Sequence, residues 1–259
     1  IGIGNLANAY STSSIAIGQN SISSNTSTVA IGSGALGSST SSIALGPIAL
    51  ATGTSSMALG SSAQAANNSS IAIGPSSVSI NQNSLAIGVS SNSSGSAAIA
   101  MGASAKAQNT EAIGIGLSAN AYSSFSVALG SGSKALAFNA IGIGNTSNAY
   151  SSSSIAIGSN PVASNTDAIA IGSFSIAQNI NAIGIGPVAN AYSQSSIAIG
   201  RNTISSNTDA ISIGSTSRAQ NTNAIGIGNT ANAYSQSSIA IGRNTISSNT
   251  DAISLGSSA

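Results

Sequence analysis

Ile197-Ala198-Ile199-Gly200-Arg201-Asn202-Thr203-Ile204-Ser205-Ser206-Asn207-Thr208-Asp209-Ala210 is one copy of a fourteen-residue unit. Residues 15–28 (IAIGQNSISSNTST) and 155–168 (IAIGSNPVASNTDA) are others. Cut every fourteen residues from Ile1, the 259-residue chain gives eighteen full units and one half unit with no insertion or deletion. A disordered Ser/Asn tract would not hold its phase over such a length, so the unit is a structural repeat.

The columns of the unit spell out its local structure. Position 1 is Ile, Val, Leu or Met and position 3 is Ile, Leu or Met, whereas position 2 between them is only Gly, Ala or Ser. That period of two predicts a strand. Positions 7 and 9 are nearly always Ala or Ser around a freely varying position 8, which predicts a second, shorter strand with its small residues inward. Position 11 is mostly Asn, Ser or Gly, for example Asn25, Gly53, Asn165 and Asn207, residues that accept turn or left-handed backbone.

Position 4 is glycine in every unit: Gly4, Gly18, Gly32, Gly46, Gly60, Gly74, Gly88, Gly102, Gly116, Gly130, Gly144, Gly158, Gly172, Gly186, Gly200, Gly214, Gly228, Gly242 and Gly256. A glycine fixed at the end of a strand predicts a positive φ or a close backbone approach at a turn. Strand, Gly turn, strand and Asn/Gly turn make one coil of a parallel β-solenoid, an all-β roll whose coils stack about 4.8 Å apart. Helix is disfavoured by the Ile, Ser, Thr, Asn and Gly content and by the lack of any 3.6-residue apolar stripe. The whole of residues 1–259 reads as a single repeat domain. Its interior is expected to hold the Ile side chains of positions 1 and 3 against the small residues at 7 and 9.

Composition narrows the function. The chain has no His, no Cys and four carboxylates, so neither a Ser-His-Asp triad nor a Cys nucleophile nor a zinc site can be assembled within it. No catalytic residue, metal ligand or cofactor is expected. Five scattered cations and a net charge of +1 cannot form the basic face that nucleic acid requires. Mean hydropathy is +0.30, yet Ser, Asn, Gly or Thr interrupts every apolar run well short of the 18 or so residues of a spanning helix. Membrane contact by this segment is therefore not expected. Because the sequence opens on Ile1 rather than Met, it reads as a mature product or part of a longer chain.

Positions 14 and 2 flank position 1 and are small throughout, as in Ser14, Ser42, Ala44 and Ala112. A strand face limited to such residues predicts a second backbone pressed against it. On this reading Gly2, Ala16, Gly114, Gly142, Gly184 and Gly226 face partner chains around a three-fold axis.

The repeated Ser-Ile-Ala-Ile-Gly at Ser14–Gly18, Ser70–Gly74, Ser154–Gly158 and Ser196–Gly200, followed by Ala-x-Ala or Ser-x-Ala, resembles the head repeat of trimeric autotransporter adhesins of the YadA type. The resemblance spans the whole chain in its fourteen-residue register. It implies a left-handed parallel β-roll, an obligate homotrimer, and an extracellular place at the cell surface, toward the tip of a fibre that attaches to matrix, host or neighbouring cells. It also implies that the small residue of Ile-Ala-Ile-Gly lies on the trimer side, and that anchoring is supplied by parts outside this segment. The rival reading is a structural fibre or filament, phage, viral or secreted, that gives reach and rigidity without specific adhesion.

A longer period overlies the first. Residues 183–224 and 225–259 match almost residue for residue, a block of three coils. Asp167, Asp209 and Asp251 recur at position 13, 42 residues apart, and Arg201 and Arg243 share position 5. All five tyrosines, Tyr10, Tyr122, Tyr150, Tyr192 and Tyr234, occupy position 10, each in a unit with Gly at position 2 and with Asn-Ala-Tyr at positions 8 to 10. The co-occurrence predicts that Tyr occupies the space left by the missing methyl, across a chain boundary.

Overall fold

The computed structural model describes residues 1–258; the repeat reading extends one residue further, to Ala259, which lies outside the described residues. The chain divides into two compact units, Ile1–Gly132 and Ser133–Ala259. Each is a parallel β-solenoid in the fourteen-residue register, and no helix occurs among the described residues. No helix is therefore long and apolar enough to cross a membrane.

In the first unit, positions 1–3 form strands such as Ile15–Ile17, Val29–Ile31 and Ile43–Leu45. These pair in parallel with an offset of one repeat, Ile15 beside Val29 and Ala16 beside Ala30. A second sheet is built from two-residue strands at positions 8 and 9, such as Ile22–Ser23 and Leu36–Gly37. The second unit repeats the plan, with Ile155–Ile157 on Ile169–Ile171 in one sheet and Val162–Ala163 on Ile176–Ala177 in the other. The hydrogen bonds do not stop at the strands. The turn residues Asn20 and Ser27 donate their N–H groups to the carbonyls of Asn5 and Thr12 one coil earlier, at 2.9 and 3.0 Å. Stacking thus satisfies the turn backbone as well as the sheets.

Both turns close by a bond from the fourth residue to the first, Ser21 N–H to Gly18 O and Ser14 N–H to Ser11 O. In both, the third residue is left-handed: positions 6 and 13 have φ between 49° and 67° in every described coil. This is the geometry that accepts proline at the second residue. Three of the four prolines, Pro47, Pro75 and Pro187, stand there at position 5. The left-handed residue is therefore position 13 rather than position 11. The Asn and Ser of position 11 act through their side chains, which donate to the position-10 carbonyl of the next coil: Asn25 to Ser38 at 2.9 Å, Ser151 to Ser164 at 2.9 Å, Ser193 to Ser206 at 2.7 Å.

The interior is the reverse of the one expected from the strand pattern. No Ile, Leu, Val, Met or Phe is buried among the described residues; the buried apolar side chains are alanine and Pro161, and the largest enclosed side chains are Thr28, Thr203, Thr245 and Pro161. Positions 2, 7, 9 and 14 point inward; the aliphatic residues of positions 1 and 3 point out and are half-buried only by their neighbours above and below. At the chain's first coil, where one neighbour is missing, Ile1 is 70% exposed. Geometry explains the reversal. A coil with strands of three and two residues, joined by two tight turns, brings its sheets too close for an Ile, Leu or Met side chain between them; nothing larger than Thr or Pro is enclosed.

Serine fits that space because the turns supply acceptors. Position-7 hydroxyls donate to the position-4 carbonyl, as Ser21 to Gly18 at 3.0 Å and Ser77 to Gly74 at 2.8 Å. Position-9 hydroxyls donate to the position-14 carbonyl, as Ser23 to Thr28 and Ser79 to Ser84, both at 2.9 Å. Buried hydroxyls paired in this way avoid the desolvation cost of an unmet polar group.

Left-handed backbone disfavours side chains branched at Cβ, and Val188 adopts it with φ 55° while 40% exposed. Val188→Asn is expected to raise stability by about 1 kcal/mol by relieving that strain. Thermal denaturation of the two proteins, followed by circular dichroism, measures it.

Candidate functional site

No cavity opens among the described residues, and no group of three or more Asp, Glu, His or Cys gathers there to hold a metal ion. What the fold presents instead is columns: residues of one repeat position, stacked coil on coil, each column a chemically distinct strip.

The broadest strip is the outer face of the three-residue strands. In the first unit it runs Ile15, Ile17, Val29, Ile31, Ile43, Leu45, Met57 and Leu59 in in-register pairs. In the second unit Ile155, Ile157, Ile169, Ile171, Ile183 and Ile185 continue in the same way. Each unit thus leaves a double aliphatic ladder on one sheet, while enclosing no side chain of its own larger than Thr or Pro.

The small residues assigned to a partner-facing surface lie elsewhere. Ala16 is fully enclosed by its own chain. A Cβ added at Gly114 would stand 2.3 Å from the Lys106 carbonyl oxygen, at Gly142 2.6 Å from that of Lys134, at Gly184 2.6 Å from that of Ile176, and at Gly226 2.7 Å from that of Arg218. Gly2 aims in the same direction, toward Ala7 O. All six point into the roll, against the second strand of the same chain, which corrects their placement on a trimer face.

The same measurements separate the tyrosines from the glycines. None of the three heavy atoms nearest to a Cβ at Gly2, Gly114, Gly142, Gly184 or Gly226 belongs to a tyrosine. Tyr10, Tyr122, Tyr150 and Tyr234 lie in the open on the outside, and Tyr192 is half-exposed. Gly114, Gly142, Gly184 and Gly226 each make room for a backbone carbonyl of the preceding coil, and the tyrosine of the same unit lies on the outside of the roll.

Two further repeat positions carry most of the side-chain charge. Lys106, Lys134 and Arg218 are exposed at position 8; Glu111, Asp167, Asp209 and Asp251 are exposed at position 13 on left-handed backbone. Position 8 also carries half-exposed aliphatics, such as Ile22, Leu36 and Leu50. Its asparagines are drawn onto the surface of the roll: Asn148 donates to Thr146 O at 2.9 Å, and Asn232 to Thr230 O at 3.1 Å. The outward aliphatic ladders run against the expectation from sequence, although the near-exclusive Gly, Ala and Ser content of positions 2, 7, 9 and 14 together, broken only by Thr28, Pro161, Thr203 and Thr245, was the signal for them.

Compared with known families, the chain matches the YadA head domain repeat over residues 1–21, 9–35, 51–77, 79–105, 107–133, 135–160, 163–187, 177–203, 191–217, 219–245 and 233–259. No curated protein matches it. Stacked fourteen-residue coils and family matches from residue 1 to residue 259 agree: the chain belongs to the family of YadA head domain repeats.

Proposed function

We propose that the chain is the head region of an extracellular, trimeric adhesin fibre, and that three copies associate through the double aliphatic ladders of positions 1 and 3. The observation that carries this reading is the inverted core. Fully burying an Ile, Leu, Val or Met side chain contributes about 1.5–3 kcal/mol, and a lone chain leaves nearly all of these residues half in water while enclosing mostly alanine and serine. A face of that extent and composition marks an association surface. An isologous pair would cover it too, but the family of this repeat is one of trimers. The trimer face is thus the aliphatic one, in place of the small-residue face expected from sequence.

Adhesion follows from repetition. Columns that present one side chain every coil, or every third coil, multiply weak contacts along a stiff scaffold, and multivalency turns these into lasting attachment. The chain's poverty in titratable groups supports a non-enzymatic role. Binding of the assembled protein to immobilised matrix proteins and to cells, read by surface plasmon resonance and by cell-adhesion counts, tests the reading. Saturable binding to one of these surfaces is the expected result; binding to none favours the structural-fibre alternative.

A further inference from the structure

The 42-residue block of the second unit sets one arrangement three times. Tyr150, Tyr192 and Tyr234 stand at position 10, each held by its backbone N–H on the next coil, at 3.0 Å to Ala163 O, 2.9 Å to Ser205 O and 2.9 Å to Ser247 O. One coil on, at the same turn, come Asp167, Asp209 and Asp251, each stacked on the residue two places after the tyrosine through N–H bonds to Ser152 O, Gln194 O and Gln236 O, all at 3.1 Å. The three carboxylates are exposed, two of the tyrosines are about 40% exposed, and the third is half-exposed. No Lys, Arg, Asp or Glu occurs at position 10 or position 12 anywhere in the chain. The aromatic column follows the two-residue strands, so it belongs to the sheet opposite the aliphatic ladders and stays open when those are covered.

An exposed phenol ring offers a flat apolar face with a polar edge, and a carboxylate accepts hydrogen bonds from hydroxyl groups. Pyranose sugars with equatorial substituents present the complement: an apolar C–H face ringed by hydroxyls. The periodicity narrows the class. Coils rise by about 4.8 Å, close to the advance per sugar of an extended pyranose chain, so tyrosines three coils apart meet every third sugar, whose two C–H faces both offer a stacking surface. The carboxylates, with no cation beside them in these columns, select against sulfated or uronic polymers. We propose that Tyr150, Tyr192 and Tyr234, with Asp167, Asp209 and Asp251, form a linear site for a neutral, extended polysaccharide. This names the ligand class of the adhesin reading and rests on it.

The test uses the full chain on regenerated cellulose, with heparin-agarose and immobilised matrix protein as parallel surfaces, each depleting protein from solution. The site predicts saturable retention on cellulose and none on heparin. Tyr150→Ala/Tyr192→Ala/Tyr234→Ala is expected to weaken retention by at least about tenfold, since all three linked contacts are lost together. Substitution of the three by Phe keeps the ring face and is expected to stay within about threefold of the parent. The circular dichroism spectrum and assembly mass should be unchanged in both, because the rings are on the surface. Retention on cellulose that survives the triple Ala change overturns the assignment to these tyrosines. Retention on matrix protein but not on cellulose overturns the polysaccharide site and leaves the adhesin reading standing, whereas retention on no surface overturns both.

Discussion

Gly116→Ala is expected to destabilise the protein by about 3–5 kcal/mol, among the largest effects open to a change of one methyl group. Two costs coincide at this position. The backbone of Gly116 has φ +131°, a region that residues with a Cβ rarely enter. The added Cβ would also stand 2.6 Å from both the carbonyl carbon and oxygen of Gly130, in the coil above. Those atoms are backbone, fixed in turn by the bond from Gly130 N–H to Ile115 O at 2.8 Å, so no side-chain rotation relieves the clash. The control lies in the same unit. Gly34 also has a positive φ, of 67°, but a Cβ there would meet only Ile48 Cγ1 at 3.8 Å, and other coils carry Ser, Asn or Leu at that position. Gly34→Ala should cost no more than about 1 kcal/mol. Chemical denaturation of the two variants beside the parent distinguishes them; equal effects would mean that the position-4 glycines are not stacked backbone on backbone.

The second large effect concerns assembly. Ile171→Asp combined with Ile199→Asp puts two carboxylates on the outer face of the three-residue strands, where the parent side chains are half-buried in a single chain. Neither change disturbs the enclosed alanines Ala170 and Ala198. A charge buried in an apolar interface without a partner costs several kcal/mol, and a threefold assembly repeats each one three times. The variant is expected to lose its assembly and to melt at least about 15 °C lower, because a chain whose own core is built mostly of Ala and Ser has little stability to spare. Ile204→Asp, on the opposite sheet at position 8, is the matched control and should leave the assembled mass unchanged. Were it to dissociate the assembly while the position-3 pair did not, the faces would have been assigned the wrong way round.

Much of the fold is legible from one unit. Ile155-Ala156-Ile157-Gly158 read as strand and turn, Val162-Ala163 as a second strand, and both strands stand at those places. The parallel one-repeat register follows from the unbroken period. The direction in which the side chains face was harder to read. Alternation at Ile155-Ala156-Ile157 shows that Ile and Ala lie on opposite sides, but not which side is inside, and the usual preference for burying the larger residue points the wrong way. The deciding quantity is the thickness of the coil, set by two turns of four residues, and it appears in the sequence only as a joint size limit at positions 2, 7, 9 and 14. Position 11 misled for a related reason. Asn is at home in left-handed backbone, yet Asn165 is placed for a hydrogen bond from its side chain to Gln178 O at 3.2 Å, and the left-handed residue is Asp167.

Copied blocks also limit inference from covariation within one chain. Gly184 and Tyr192 recur as Gly226 and Tyr234 in blocks 183–224 and 225–259 that match almost residue for residue, and no tyrosine atom is among the three nearest to a Cβ at either glycine. The tyrosines gain meaning from what stands around them in space, a turn carboxylate on the next coil and a column without charge.

Coverage of the aliphatic ladders by two further copies of the chain, as proposed, fixes the solution mass of the unmodified protein. Light scattering at micromolar concentration should return three times the chain mass of 24.6 kDa, unchanged on tenfold dilution. A stable, folded species of 24.6 kDa at that concentration would contradict that coverage, since such a monomer would keep both ladders in water with little but alanine and serine enclosed.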